Sequence, residues 1–148
     1  MEDAQIKKEI FRILASQQLG VLATYGSEYP YTTLIAYAFT DDLKYVLFAT
    51  TRNTRKYANI QNNPNISMLI DNRTNRAVDF SNAQALTVLG KAEEISDDEK
   101  PKYTTIYLQR HPYLKEFVMN PDCALMRIQS HKYILVRRFQ ESIEFEVS

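Results

Sequence analysis

Glycine, cysteine, histidine and tryptophan are scarce in this 148-residue chain, and the scarcity of the first three excludes several kinds of site. The 3 glycines cannot form a GxGxxG dinucleotide loop or a GxxxxGK phosphate loop, so a bound phosphate would be held by side chains and a helix N-terminus. The single cysteine excludes an intrachain disulfide bond. With 2 histidines and 1 cysteine, a structural zinc site would need carboxylate ligands, so we expect no bound metal.

An excess of one charge and a long apolar run are also missing. Lys and Arg total 18, as do Asp and Glu, so the formal net charge is +0 and the basic excess typical of nucleic-acid binding is absent. A neutral total does not exclude a local basic patch. No segment approaches the roughly 18 apolar residues of a membrane span, and the charged N-terminus lacks the apolar core of a signal peptide. We therefore expect a cytoplasmic protein that binds neither nucleic acid nor membrane.

Hydrophobic periodicity predicts a small, mainly β protein with flanking helices, formed by residues 1–148 as one domain. Residues 2–17 show a helical stripe that consists of Ile6, Ile10, Ile13 and Leu14. Further helices are predicted at 54–62, 98–110 and 113–119. The β-prone runs lie at 19–25, 31–39, 43–50, 66–70, 85–95, 124–128, 133–139 and 142–147. Many antiparallel strands with few helices favour a small barrel.

Some local patterns predict where elements begin and end. The polar residues 129–132 predict a hairpin between two strands. Asn53 is the predicted N-cap of the helix 54–62, and Asp98 that of the helix 98–110, because a start at Asp98 keeps Pro101 in the first turn. The strand 31–39 is apolar or only mildly polar on both faces, which indicates that a partner subunit or a ligand covers its outer face.

The densest polar cluster lies between the strand 43–50 and the helix 54–62. Cations in the first turn of a helix are unfavourable unless an anion binds there, so this pattern is consistent with a phosphate site. The alternative is a basic surface turn whose cations are simply solvated. Arg52 is the cation that we most expect to be only solvated. The hydroxyl and basic side chains of the cluster are Thr50, Thr51, Arg52, Thr54, Arg55 and Lys56.

Several short motifs, in this order and spacing, resemble the pyridoxamine 5′-phosphate oxidase-like family of FMN-binding split barrels. The resemblance covers roughly residues 5–95. It implies a six-stranded antiparallel Greek-key split barrel that forms a homodimer with two FMN sites at the subunit interface. The motifs are Leu22-Ala23-Thr24, Pro30-Tyr31, Thr50, Thr54-Arg55-Lys56 and Asn63-Pro64.

The resemblance also implies which residues contact the cofactor. Backbone groups of Leu34 and Ile35 would meet the pyrimidine edge of the flavin. Arg73, from either subunit, and Gln84 would contact the flavin or its phosphate, and residues 137–140 would approach it across the dimer. The alternative for Arg73, Gln84 and residues 137–140 is that they make only ordinary contacts within their loop and strands. The residues that would hold the FMN phosphate are Thr50, Thr54, Arg55 and Lys56, with Thr51 beside them.

The function implied by the resemblance is that of an oxidoreductase that uses noncovalent FMN to exchange electrons or hydride with a small molecule. The chain departs from the oxidase itself, because Thr33 and Ala38 stand where that enzyme has Arg and Lys. The prediction is therefore an FMN-binding member of the wider family, with no catalytic acid or base assigned. The alternative is a non-catalytic module that binds or senses a flavin, a deazaflavin or haem. Haem with a histidine axial ligand would require His111 or His131, and the sequence places neither well.

Overall fold

The strands of the protein form one antiparallel sheet that closes on itself. The computed structural model describes residues 1–148, with β1 (Leu19–Tyr25), β2 (Pro30–Phe39), β3 (Tyr45–Thr51), β4 (Asn65–Asp71), β5 (Gln84–Glu94), β6 (Cys123–Arg137) and β7 (Glu141–Glu146). Their order is β3-β2-β1-β4-β5-β6-β7, and an additional pairing of β3 with β6 closes the first six strands into a barrel. The predicted six-stranded antiparallel barrel is confirmed, and β7 is an extra strand paired with β6.

Helices pack against the barrel at one end and along one side. They are α1 (Asp3–Ser16), α2 (Arg55–Asn62), α3 (Asp79–Asn82), α4 (Lys100–Arg110) and α5 (Lys115–Met119), with a 3-10 turn at Pro112–Leu114. The predicted apolar stripe of α1 is buried in the main core. On the outside of the barrel, α4 buries Tyr103 and Tyr107 together with Leu47 of β3 and Leu125 of β6. None of these helices combines the length and hydrophobicity that crossing a bilayer requires.

The outer face of the sheet from β2 to β6 is apolar and partly bare. Leu34 is 62% exposed and Leu69 is 39% exposed, whereas Ile35 points into the core and is 4% exposed. The strand β2 is therefore apolar on both faces, as the sequence predicts, because its side chains alternate between the barrel core and this outer face. One row of paired residues crosses the face through Leu34, Val21, Leu69, Thr87 and Ile134.

The predicted hairpin at residues 129–132 is wrong. The strand β6 runs without interruption from Cys123 to Arg137, and β5 adjusts to it by a register shift between Leu89 and Gly90. The bulge accommodates the polar residues that suggested a turn. Glycine is required at position 90, because a Cβ atom there would collide with the carbonyl oxygen of Gln129.

Two predicted helix caps are each displaced by one residue. Thr54, and not Asn53, caps α2, since its hydroxyl accepts a hydrogen bond from the backbone N–H of Tyr57 at 3.4 Å. Asn53 is instead engaged by the Thr51 hydroxyl, which donates to its side-chain oxygen at 2.7 Å. The N-cap position of α4 is Glu99 rather than Asp98, because a turn closed on the Ser96 carbonyl precedes the helix.

Candidate functional site

The turn between β3 and α2 is held in place by its own hydroxyl groups. Thr50 is 1% exposed, and its hydroxyl lies 2.8 Å from that of Thr54. Thr54, besides capping α2, donates to the carbonyl oxygen of Thr51 at 3.0 Å. The hydroxyl groups of Thr50 and Thr54 are thus occupied within the chain, where they fix the backbone at the start of α2.

Arg55 and Lys56 carry the uncompensated positive charge of this turn. Neither takes part in any of the salt bridges of the chain. The Arg55 guanidinium lies 5.1 Å from the ring centroid of Tyr31, and the half-buried position of Lys56 lowers the pKa of its amine. Two cations at the positive end of a helix dipole repel that end and each other, so a bound anion would stabilise the arrangement.

Arg52, in contrast, is paired, so the prediction that it is the solvated cation of the cluster is wrong. Its guanidinium forms a salt bridge with Glu94 at 2.6 Å and donates to the carbonyl oxygen of Pro121 at 2.9 Å. The hydroxyl of Tyr57 donates to the same carboxylate at 2.6 Å. The hydrogen bonds from Arg52 and Tyr57 lower the pKa of Glu94. This network ties the start of α2 to β5 and to the loop before β6.

The strands β2 and β3 separate beside the turn. They are paired only over Tyr37–Phe39 and Val46–Phe48, while β2 remains paired with β1 back to Pro30. In an antiparallel strand successive residues direct their N–H and C=O groups to opposite sides. One of the neighbours Leu34 and Ile35 therefore offers its backbone groups to the opening between β2 and β3, where no strand accepts them.

A pocket of about 680 Å³ lies beside Arg55, between α2 and the turn that joins β1 to β2. Arg55, Asn59 and Asn62 recur along one face of α2 at the spacing i, i+4, i+7. Sequence reasoning missed this pocket, although that spacing was a readable signal. Its polar and aromatic side chains are Tyr25, Glu28, Tyr29, Tyr31, Arg55, Asn59, Asn62 and Asn63.

Arg73 and Gln84 line a second pocket, of about 510 Å³, at the far end of β4. Arg73 pairs with Asp71 at 3.0 Å, and the Gln84 amide donates to the carboxylate of Glu9 at 3.4 Å. This pocket lies at the end of β4 that is remote from α2, and it shares no lining residue with the pocket beside Arg55. Within one chain the structure thus divides the predicted site residues into two groups.

The two histidines lie apart from both pockets. His111 is the C-cap residue of α4, and its Nε2 lies 2.6 Å from the carbonyl oxygen of Tyr37 in β2. His131 is exposed at the bulge of β6, as its polar surroundings in the sequence suggest. No group of three or more His, Cys, Asp or Glu side chains converges in the structure in a way that could hold a metal ion.

Solved structures of low sequence identity share this fold. A haem-binding protein from Mycobacterium smegmatis has a TM-score of 0.84 and 18% identity, with 95% of this chain covered. The chain spans only 57% of that protein. A protein from Clostridium acetobutylicum related to general stress protein 26, of the pyridoxinephosphate oxidase family, has a TM-score of 0.76 and 18% identity, with 99% of this chain and 97% of that chain covered.

An FAD-binding protein from Mesorhizobium loti has a TM-score of 0.69 and 18% identity, with 86% of this chain and 90% of that chain covered. No curated protein matches the sequence significantly. The family model described as pyridoxamine 5′-phosphate oxidase matches residues 6–137, which extend from α1 to the end of β6. This match covers most of the chain, and the protein therefore belongs to the pyridoxamine 5′-phosphate oxidase family.

Proposed function

We propose that the protein is a homodimeric flavoprotein that binds FMN noncovalently at the opening between β2 and β3. The observation that carries the proposal is the pair Arg55 and Lys56, two cations without ion pairs at the start of α2. The free strand edge at Leu34 or Ile35 lies along the same opening. Family membership and the FAD-binding protein of similar fold support a flavin as the ligand.

The chemistry of the donor groups fits a phosphorylated flavin. Arg55 and Lys56 would hold the phosphate together with Thr51 and the first N–H groups of α2, since all of these are donors. Thr50 and Thr54 would act through the backbone that they fix, because their hydroxyls are occupied within the chain. A backbone N–H and C=O from the edge of β2 match the acceptors and the donor on the pyrimidine ring of a flavin.

A second copy of the chain would complete the site. The bare apolar row through Leu34 and Leu69 is the face that we propose for the dimer. In this proposed two-fold dimer, the pocket of Arg73 and Gln84 on one subunit would lie toward the Arg55 turn of the other. Such an arrangement would account for the separation of these groups within one chain.

The proposed activity is that of an oxidoreductase, since a bound flavin supplies electron and hydride transfer. The chain contributes the phosphate anchor, the orientation of the ring and the exclusion of water from the opening. We propose a substrate other than pyridoxamine 5′-phosphate, because Thr33 and Ala38 lack the charges of the oxidase. Ala38 is moreover 1% exposed and packed beneath α4, where a lysine side chain could not reach the opening.

Haem is less well supported, although a haem-binding protein has a similar fold. Coordination by histidine requires a free ring nitrogen in the pocket. His111 is buried and bonded to the backbone of β2, and His131 lies at the bulge of β6. A flavin requires no protein ligand of this kind.

Flavin titrations test the proposal, because riboflavin has the ring and ribityl chain of FMN but no phosphate. Charge-assisted hydrogen bonds contribute about 1.5–3 kcal/mol each, so Arg55→Ala or Lys56→Ala should weaken FMN binding about ten- to a hundred-fold. Riboflavin affinity should stay nearly unchanged, and added salt should weaken only FMN binding. Dissociation constants from fluorescence quenching measure both effects.

Lys91→Ala is the matched control, since Lys91 is an exposed lysine of β5 outside both pockets. Equal losses for FMN and riboflavin would mean that Arg55 and Lys56 support the fold or the ring instead of the phosphate. Failure of the wild-type protein to bind either flavin, with a Soret band on addition of haemin, would replace the proposal by the haem alternative.

A further inference from the structure

The pocket beside Arg55, which we call the tyrosine pocket, is lined by three tyrosines (Tyr25, Tyr29 and Tyr31), three asparagines (Asn59, Asn62 and Asn63), Arg55 and Glu28. The proposed FMN site uses only Arg55 of these side chains. Its volume of about 680 Å³ lies within the range of pockets that hold small organic ligands. Tyr29 is 76% exposed and Tyr25 is 58% exposed, so two large aromatic rings stand bare at the pocket. Aromatic rings of this kind offer stacking surfaces for a flat heterocyclic ligand.

Free amide groups stand opposite the tyrosines. Asn59 donates its Nδ2 to the hydroxyl of Thr24 at 3.0 Å, which fixes the amide and leaves its oxygen as an acceptor. The Asn63 oxygen accepts from the backbone N–H of Asn65 at 3.1 Å, which leaves its amide nitrogen as a donor. Asn62 is exposed on the same side of α2. An amide with a donor and an acceptor side by side matches the N6 and N7 edge of adenine.

Arg55 joins the tyrosine pocket to the proposed phosphate position. Its guanidinium is stacked on the Tyr31 ring at 5.1 Å, which holds its charge at the pocket wall. A ligand that spans both regions therefore needs a phosphate next to an aromatic base. Nucleotides have this chemistry, whereas FMN alone ends at its phosphate.

We propose that the tyrosine pocket binds the adenine nucleotide portion of a dinucleotide whose phosphates lie at Arg55. This inference rests on the proposed flavin site, because Arg55 belongs to both. Two ligands carry such a portion: FAD, whose flavin would lie in the opening between β2 and β3, and a nicotinamide dinucleotide, whose phosphates would occupy Arg55 in place of FMN. The base stacks on Tyr29 or Tyr25, and the asparagine amides recognise its edge.

Titration of the flavin-free protein with 5′-AMP tests the pocket directly, by isothermal titration calorimetry. AMP should bind, and Tyr29→Ala should weaken its binding roughly five- to a hundred-fold, the range that stacking of a base on an aromatic side chain contributes. Asn62→Asp should weaken AMP as well, because it removes the amide donor and adds a charge that repels phosphate. Tyr113→Ala is the matched control, since Tyr113 is 98% exposed on the 3-10 turn outside the pocket.

Two further titrations identify the source of the nucleotide. If the ligand is FAD, it should bind the wild-type protein more tightly than FMN, and Tyr29→Ala should remove the difference without weakening FMN. If the ligand is a nicotinamide dinucleotide, FAD and FMN should bind equally, and NADH or NADPH should compete with both AMP and FMN for the flavin-free protein. A protein that binds FMN but not AMP would overturn this inference and leave the proposed function intact. A protein that binds AMP but neither flavin would instead overturn the proposed function and support the pocket.

Discussion

At the scale of single residues, the basic cluster at the start of α2 divides into structural and free charges. Arg52 is neutralised by Glu94 and held by a backbone carbonyl, so its charge supports the fold. Arg55 and Lys56 have no such partners, and Lys56 is also partly removed from water. Burial disfavours the charged form of an amine, so Lys56 releases its proton more readily than an ordinary lysine.

This lowered pKa predicts a pH dependence of cofactor binding. In the proposed site the cationic form of Lys56 binds the FMN phosphate. Burial holds the pKa of Lys56 below the ordinary value of 10.5, so FMN affinity should fall as the pH rises from neutrality toward that value. In Lys56→Arg the side chain stays charged, so the affinity for FMN should stay constant over the same pH range. Riboflavin is the control: it has the same flavin ring, so a loss of affinity caused by titration of the ring would appear for both ligands. A parallel fall for both flavins in the wild-type protein would contradict a role for Lys56.

At the scale of secondary-structure elements, the turn between β6 and β7 is under backbone strain. Arg138 has a φ of 53° and Phe139 a φ of 60°, the left-handed region that favours glycine and asparagine. The turn is closed by a hydrogen bond from the Gln140 N–H to the Arg137 carbonyl at 3.2 Å. Phe139 contacts Phe80 at a ring-centroid distance of 5.9 Å, so its ring contributes a contact that glycine would lose.

Arg138 makes no such contact, and Arg138→Gly should therefore stabilise the protein by about 1 kcal/mol through relief of the left-handed strain. The urea midpoint at neutral pH should rise without a change in the m-value. Gln140→Gly is the matched control in the same turn; its φ is not left-handed, so glycine there should lower the midpoint. A lower midpoint for both variants would show that the turn is not strained at Arg138.

At the scale of the whole molecule, one part of the barrel's outer face is covered by a helix and another part is exposed. Where α4 packs on β3 and β6, Tyr103 and Tyr107 form a second apolar cluster with the wall. α4 also covers β2 at Ala38, but Leu34 of β2 and Leu69 of β4 stand exposed on the rest of this outer face. A contiguous apolar face of this kind is typical of a surface that another molecule covers.

Sedimentation should therefore show wild-type particles of about twice 17.2 kDa. Leu34→Lys should convert them to folded monomers with weakened FMN binding, because a lysine at this exposed position is tolerated by the single chain but not by a buried interface. Tyr113→Lys, on the opposite exposed 3-10 turn, is the control and should leave the dimer intact. A wild-type monomer that binds FMN with full affinity would contradict the shared site.

Local sequence patterns were sufficient to predict most of the helices and strands. They failed where contacts between distant segments determined the structure. The stripe of α1 and the alternation in β2 are visible in the residues themselves, because burial repeats with the period of each element. Residues 129–132 look like a turn, but pairing with β5 keeps β6 extended, with a bulge at His131 opposite the step from Leu89 to Gly90. Thr54 caps α2 instead of Asn53 because the buried hydroxyl of Thr50 lies beside it.

The sequence by itself indicated the β-barrel, through strand periodicity and the family motifs, and the basic turn, whose residues are adjacent in the chain. It also determined that phosphate would be held by side chains, because 3 glycines form no phosphate loop. Only the tertiary structure decided which cations remain free, as Arg52 meets Glu94 from 42 residues away. It alone separated Arg73 and Gln84 from Arg55 and assembled the tyrosine pocket, because those arrangements depend on strand register and helix placement rather than on spacing in the chain.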